Sequence, residues 1–202
     1  MVNYIILGIT TIVSIWAFSR PDIFDRLKFS PYAIKHSRQG WRFFSYALIH
    51  ANWPHLLINM FVLFFFGRFI ENVFVQLFGG KGILFFILLY AGGVLFSVLF
   101  EYRKNLNNYY YSAVGASGAV SAIVFSYILI NPLGTIYLYF LPMPAIVFGI
   151  LYLIYSAYMA KKASDKVGHS AHFWGSVFGV AYTLILEPRL AGHFFSTLFS
   201  VF

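Results

Sequence analysis

Six stretches of this chain run almost without charge, at about 2–19, 54–75, 82–101, 115–131, 144–160 and 169–187. No other feature constrains the fold so strongly. A membrane-crossing helix needs about 20 mostly apolar residues, within a range of roughly 17 to 25. In hydrocarbon the backbone must satisfy its own hydrogen bonds, which leaves the helix as the form for such segments. The expectation is an all-α, polytopic membrane protein: six transmembrane helices in a single domain spanning 1–202. Composition agrees, with 60% hydrophobic and only 10% charged residues. A soluble domain could not cover that much apolar surface with so few charges. Pro54 suits a helix first turn. The segments NPLG, LPMP and EP close span four, precede span five and close span six.

The connection 20–53 is the longest. It carries "WRFFSYALI", with aromatics beside Arg42. Trp, Tyr and Arg collect at the membrane–water boundary, so a structured interfacial loop is expected. The tail "HFFSTLFSVF" is too short to cross and is expected along the membrane surface. The first twenty residues lack a basic leader and a small-residue cleavage site, so they read as a retained span. The net charge of +8 is spread between apolar segments. It therefore points to the lipid bilayer as partner and not to nucleic acid. Cys is absent, so thiolate metal sites and disulfides are excluded.

The six acids are Asp22, Asp25, Glu71, Glu101, Asp165 and Glu187, all in loops or at helix ends. An intramembrane aspartyl protease needs buried carboxylates, and a proton-coupled transporter usually does too. An HExxH zinc helix is missing. Glu71, three residues after Arg68, is expected to pair with it at the membrane edge.

Few polar residues lie within the apolar helices. Ser117 opens span four. His55 and Asn59, four apart, share one face near the start of span two. His172 lies near the start of span six. Spans two, four and six run in one direction, so these residues lie at similar depth. A polar group in a bilayer must find partners inside the bundle. Serine and histidine together can perform acyl transfer, the imidazole accepting the hydroxyl proton and returning it to the leaving amine. A helix N-terminus offers free N–H groups to an oxyanion. His55 and Asn59 could add donors. Gly115 and Gly118 allow close backbone approach, and Ala171, Gly175 and Gly179 form a small-residue stripe for packing span six on span four. Plainer readings stand beside these. A serine in an apolar helix commonly bonds its own i−4 carbonyl, and a small-residue stripe serves packing alone. His36, His50, His169 and His193 read as interfacial.

These motifs together resemble the rhomboid family of intramembrane serine proteases. "GASGA" at 115–119 is similar to the family's G-x-S-G nucleophile motif, and "HANWPHLLIN" at 50–59 to its H-x4-H-x3-N pattern. "AHFWGSVFG" at 171–179 is similar to its A-H-x-x-G-x3-G pattern, "WR" at 41–42 to its first-loop signature, and "LPMPA" to a frequent segment before span five. The resemblance implies a rhomboid-like bundle and a Ser117–His172 dyad without a carboxylate. It also implies an oxyanion hole from Ser117, His55 and Asn59. Single-span membrane proteins would be the substrates, with no metal or cofactor. It points to a multi-pass protein of a bacterial inner membrane whose site opens to the extracytoplasmic side.

Two features depart from the pattern. The family usually has Tyr four residues after the serine, stacked on the catalytic imidazole; here the residue is Ser121. Arg20, Arg26, Lys28, Lys35, Arg38, Arg42, Arg103, Lys104, Lys161, Lys162 and Lys166, eleven of the fourteen Lys and Arg, lie on the side of the site. Arg68, Lys81 and Arg189 lie opposite. The positive-inside rule alone would turn the site to the cytoplasm. The sequence leaves open a catalytically inactive, client-binding rhomboid-like protein. It also leaves a six-span haem protein ligated by His55 and His172, which a Soret band would reveal.

Overall fold

The computed structural model describes residues 1–138, 140–162 and 168–200. Asp165 and Lys166 lie outside the described residues, as do the last two residues of the tail. The architecture is a helical bundle around one buried helix.

The first helix, α1 (Val2–Phe18), is built inside out. Its buried residues are Asn3, Thr10, Ser14 and Ala17, while Ile5, Ile9, Ile12, Ile15 and Trp16 are exposed. The buried set recurs at helical spacing, so one stripe faces the bundle. Lipid is the outer solvent, so the polar groups turn inward to find partners. Both carboxylate oxygens of Glu71 accept from the start of α1, at 2.7 Å from the Val2 nitrogen and 3.0 Å from that of Asn3. This corrects the expected Arg68–Glu71 pair. A helix start has unpartnered N–H groups and a positive dipole end, which suit the buried Glu71 carboxylate better than the exposed Arg68 does.

The connection 20–53 is structured as expected. It folds into α2 (Pro21–Leu27), α3 (Pro31–Ser37), α4 (Arg42–Ser45) and a 3-10 turn at Tyr46–Leu48. Arg42 is its knot. The buried guanidinium donates from Nη1 to the carbonyls of Asp25, at 2.9 Å, and Lys28, at 2.6 Å.

Next come α5 (Trp53–Val62), a π-helical turn at Leu63–Gly67, and α6 (Arg68–Phe78). The Asn52 side chain caps α5 by accepting from the His55 nitrogen at 2.9 Å. The Leu63 carbonyl at the π turn accepts from Asn3 Nδ2 at 3.2 Å. Gly79, at φ +59°, lets the chain reverse into α7 (Gly82–Lys104), which packs back on α6.

α8 (Ser117–Ile130) follows, with eleven of its fourteen residues buried. It starts two residues later than the sequence suggested, because Gly115 takes φ +111° and cannot continue a helix. At 1.5 Å per residue it is about 21 Å long, short of an approximately 30 Å hydrocarbon core. The wholly helical expectation also needs one amendment. The chain between spans four and five pairs as an antiparallel hairpin, β1 (Thr135–Leu138) with β2 (Leu141–Pro144), Thr135 opposite Pro144. Then come α9 (Ala145–Lys162), α10 (His169–Leu186) and α11 (Arg189–Phe199). The tail is thus an amphipathic helix with Phe195 and Phe199 exposed.

Among the described residues, two helical runs are long and apolar enough to cross a membrane, Trp53–Lys104, which contains the α6–α7 hairpin, and Ala145–Lys162. Val2–Phe18 and Ser117–Ile130 are shorter apolar helices. α7 and α10 pack closely on α8 and on each other.

Candidate active site

Ser117 owes its position to the segment before it. Ala113 and Phe29 exchange both backbone hydrogen bonds, at 2.9 and 3.1 Å. The Gly115 nitrogen donates to the Tyr46 carbonyl at 2.9 Å, and the Ala116 nitrogen donates to His50 Nε2 at 3.4 Å. Because Nε2 accepts, the proton of the neutral ring sits on Nδ1. It is donated to Ser14 Oγ at 3.0 Å, and Ser14 in turn donates to the Leu48 carbonyl at 2.9 Å. Burial, reinforced by the neighbouring His55, pushes the His50 pKa down to about 3 and keeps this ring a neutral acceptor. His50 is fully buried, which corrects its reading as interfacial. It links α1 to the residue preceding Ser117.

Gly115 is required for two reasons. Its φ lies in the region that glycine tolerates. A Cβ there would also stand 2.5 Å from His55 Cε1 and 2.8 Å from Nε2. The bare Cα lets the His55 ring rest on the loop, edge-on to His50 at 4.9 Å between centroids. Asn59 is buried one turn further along α5 and donates from Nδ2 to the His55 carbonyl at 2.8 Å. Its amide carries a second N–H. Ser117 is half-buried and is the first residue of α8, with Ala116 at the cap. Val120 donates to the Ala116 carbonyl at 2.9 Å, the first bond of the helix. The N–H groups of Ser117, Gly118 and Ala119 therefore belong to the unpaired first turn, at the positive end of the helix dipole.

The seam between α8 and α10 is made of backbone. A Cβ at Gly175 would fall on the Gly118 carbonyl, and one at Gly179 on the Ala122 carbonyl. One at Gly118 would lie 3.4 Å from the Ala171 carbonyl and would strike Ser97 of α7. The small-residue stripe of Ala171, Gly175 and Gly179 thus packs against the first turns of α8. Ser126 Oγ closes the seam further down, donating to the Ala122 carbonyl at 2.9 Å and reaching the Gly179 carbonyl at 3.2 Å, with Thr183 Oγ1 donating to it at 2.8 Å. The neighbours of Ser117 on α8 and of His172 on α10 are in contact.

His172 lies in the first turn of α10. Its ring stacks on Tyr152 of α9, with centroids 6.0 Å apart and planes inclined by 24°. His169 meets it edge-on at 5.9 Å and is itself edge-on to Tyr155 at 5.3 Å. His169 is buried, so it too departs from the interfacial reading, whereas His36 and His193 are exposed. Tyr152 and His50 were not found from sequence. The H-x4-H spacing offered a signal for His50, but Tyr152, one of three tyrosines in an apolar helix, offered none.

The described acids stand elsewhere. Asp22 pairs with Arg20, Asp25 with Lys28 and Glu187 with Arg189, while Glu71 caps α1. Glu101 accepts from Asn105 Nδ2 at 3.0 Å. Among the described residues there is no cluster of three or more His, Asp or Glu able to hold a metal.

A serine at the start of a short buried helix and a histidine on the helix packed against it define a class of membrane-embedded helical proteins. The chain belongs to the rhomboid family: the Rhomboid domain model matches residues 37–189. It is also 29% identical over 163 residues to the Arabidopsis thaliana protein "RHOMBOID-like protein 12, mitochondrial". That alignment covers 71% of this chain and 46% of the relative, so the chain spans less than half of that protein's length.

Proposed function

We propose that this protein is an intramembrane serine protease that cuts single-span membrane proteins in or near their transmembrane segment. Ser117 Oγ attacks the scissile carbonyl while His172 takes its proton. The tetrahedral oxyanion is held by the Ser117 N–H with His55 and Asn59. Collapse breaks the C–N bond, His172 protonates the leaving amine, and an acyl-enzyme remains. Water, deprotonated by His172, then releases the acid and frees Ser117. The observation that carries this reading is the backbone contact of Gly118 with Ala171 and Gly175, which joins the start of α8 to the first turns of α10.

In this reading α1, α5–α6, α7, α8, α9 and α10 are six spans. The short α8 is enclosed by its neighbours and begins below the membrane surface. The site opens to the extracytoplasmic side of a bacterial inner membrane. The excess of basic residues on that side is weaker than the count suggests. Arg42 is spent on loop carbonyls, and Arg20 and Lys28 are paired with Asp22 and Asp25. Because the chain has no Cys, single-Cys variants labelled from either side test the orientation directly.

The deciding experiment is cleavage of a labelled single-span reporter by purified wild type, Ser117→Ala and His172→Ala. Both variants are expected to fold and to be inactive, and a fluorophosphonate should label wild type at Ser117 only. Cleavage by Ser117→Ala near the wild-type rate would refute the mechanism. A protein that binds the reporter but neither cuts it nor takes the probe would be the client-binding form.

A further inference from the structure

Three serines on the two central helices behave differently. Ser126 and Ser176 bond back to carbonyls four residues earlier on their own helix, Ala122 and His172, at 2.9 and 2.8 Å. That is the ordinary fate of a serine in an apolar helix. Ser121 instead lies 2.8 Å from Tyr152 Oη, across the gap between α8 and α9. It is buried, one turn beyond Ser117 on the same face of α8. A phenol inside a bilayer needs a hydrogen-bond partner, and Ser121 supplies it. The Tyr152 ring is framed by Phe148, stacked one turn earlier with centroids 5.6 Å apart, and by Phe125 at 5.8 Å. The ring also stacks on that of His172, at a separation within the range of favourable aromatic pairs.

We propose that Tyr152, anchored by Ser121, is the positioning residue for the His172 imidazole. The ring comes from the neighbouring helix α9, and the serine one turn after Ser117 serves as its tether. This rests on the Ser117–His172 reading of the site. A general base must hold its nitrogen toward the nucleophile through proton transfer, and a ring free to rotate spends part of its time misdirected. Stacking fixes the plane of the imidazole, and the hydroxyl pair fixes the stack. Tyr152 touches neither nucleophile nor substrate in this scheme.

The test uses the full-length protein with Tyr152→Leu, Tyr152→Phe, Ser121→Ala and the double variant Ser121→Ala/Tyr152→Phe. Reporter kcat and KM are measured, together with the NMR resonance of the His172 Cε1 proton. Tyr152→Leu is expected to lower kcat about tenfold, near the upper end of what one aromatic pair stabilises, with little change in KM. Tyr152→Phe keeps the ring and should retain most of kcat. The His172 resonance should move in Tyr152→Leu, which loses the ring current, and much less in Tyr152→Phe. Ser121→Ala and Tyr152→Phe break the same bond, so the double variant should be no slower than the slower single one. Equal losses in the Leu and Phe variants would overturn the role of stacking, and additive losses in the double variant would overturn that of Ser121. Should Tyr152→Leu fail to fold, the double-variant comparison still decides. An unmoved His172 resonance in folded Tyr152→Leu refutes this inference whether or not the protein is a protease. Cleavage by Ser117→Ala refutes the parent reading and leaves the resonance test intact.

Discussion

α8 and α9 are consecutive apolar helices, and both touch α10. They read alike in sequence and pack very differently. Eleven of fourteen residues are buried in α8, but only Ala145, Gly149 and Ser156 are buried among the eighteen of α9. The α8–α10 seam is backbone on backbone, whereas α9 turns Val147, Ile150, Leu151, Ile154 and Tyr158 outward. The contrast teaches how the two halves of the site are held. The serine side is fixed by main chain that cannot yield. On the other side the His172 ring stacks on Tyr152, a side chain from a helix that buries few of its residues.

The contrast can be broken most severely at the seam. Gly175→Leu drives a side chain into the Gly118 carbonyl, where even a Cβ has no room. Backbone cannot move aside as a side chain does, so the cost should exceed the roughly 1–3 kcal/mol of ordinary overpacking. Thermal unfolding in detergent should show a large fall in midpoint and cleavage should be lost; a near-native midpoint would mean that the helices can separate. Ser121→Tyr comes next. It places a second ring where Tyr152 already lies, so stability should drop by about 1–3 kcal/mol and kcat with it. A stable and faster variant would show that Tyr152 gives way.

The third test concerns pH. His50 is held neutral with a pKa of about 3, against 6.5 for the ordinary side chain, so the unfolded chain takes up a proton that the native fold refuses. Stability should be full above pH 6.5 and fall as pH drops toward 3. The loss between pH 7 and pH 5.5 should be about 1 kcal/mol. His50→Asn should be less stable at neutral pH and lack this slope; an unchanged slope would assign the titration to another group. Smallest of all, Ile154→Ala on the outer face of α9 should stay within about 0.5 kcal/mol of wild type, read from the same melts.

Much of this was written in the sequence. Apolar length located the helices, and the four-residue repeat of Ala171, Gly175 and Gly179 foretold the seam, because small residues at that spacing leave one face of a helix bare. Ser117, His55 and His172 stood out because polar groups are rare in such segments. What could not be read is long-range pairing. Glu71 looked committed to Arg68 by sequence distance, yet the start of α1 offered two N–H donors from sixty-eight and sixty-nine residues away. Ser121 looked like a missing ring because only its own helix was in view; the partner is thirty-one residues on. Helical periodicity carries no information about which neighbour a face will meet.

The backbone seam also sets an order of assembly. α10 is the partner that fills the face of α8 bearing Gly118 and Ala122, and it is synthesised after the hairpin and α9. At about 5–20 residues per second, several seconds pass between the appearance of Ser117 and that of His172. During that interval Ser117 stands without His172, and the face of α8 that bears Gly118 and Ala122 is not yet covered by Gly175 and Gly179. Under the proposed Ser117–His172 dyad, a newly made chain cannot cut until its own sixth apolar segment has docked on that face.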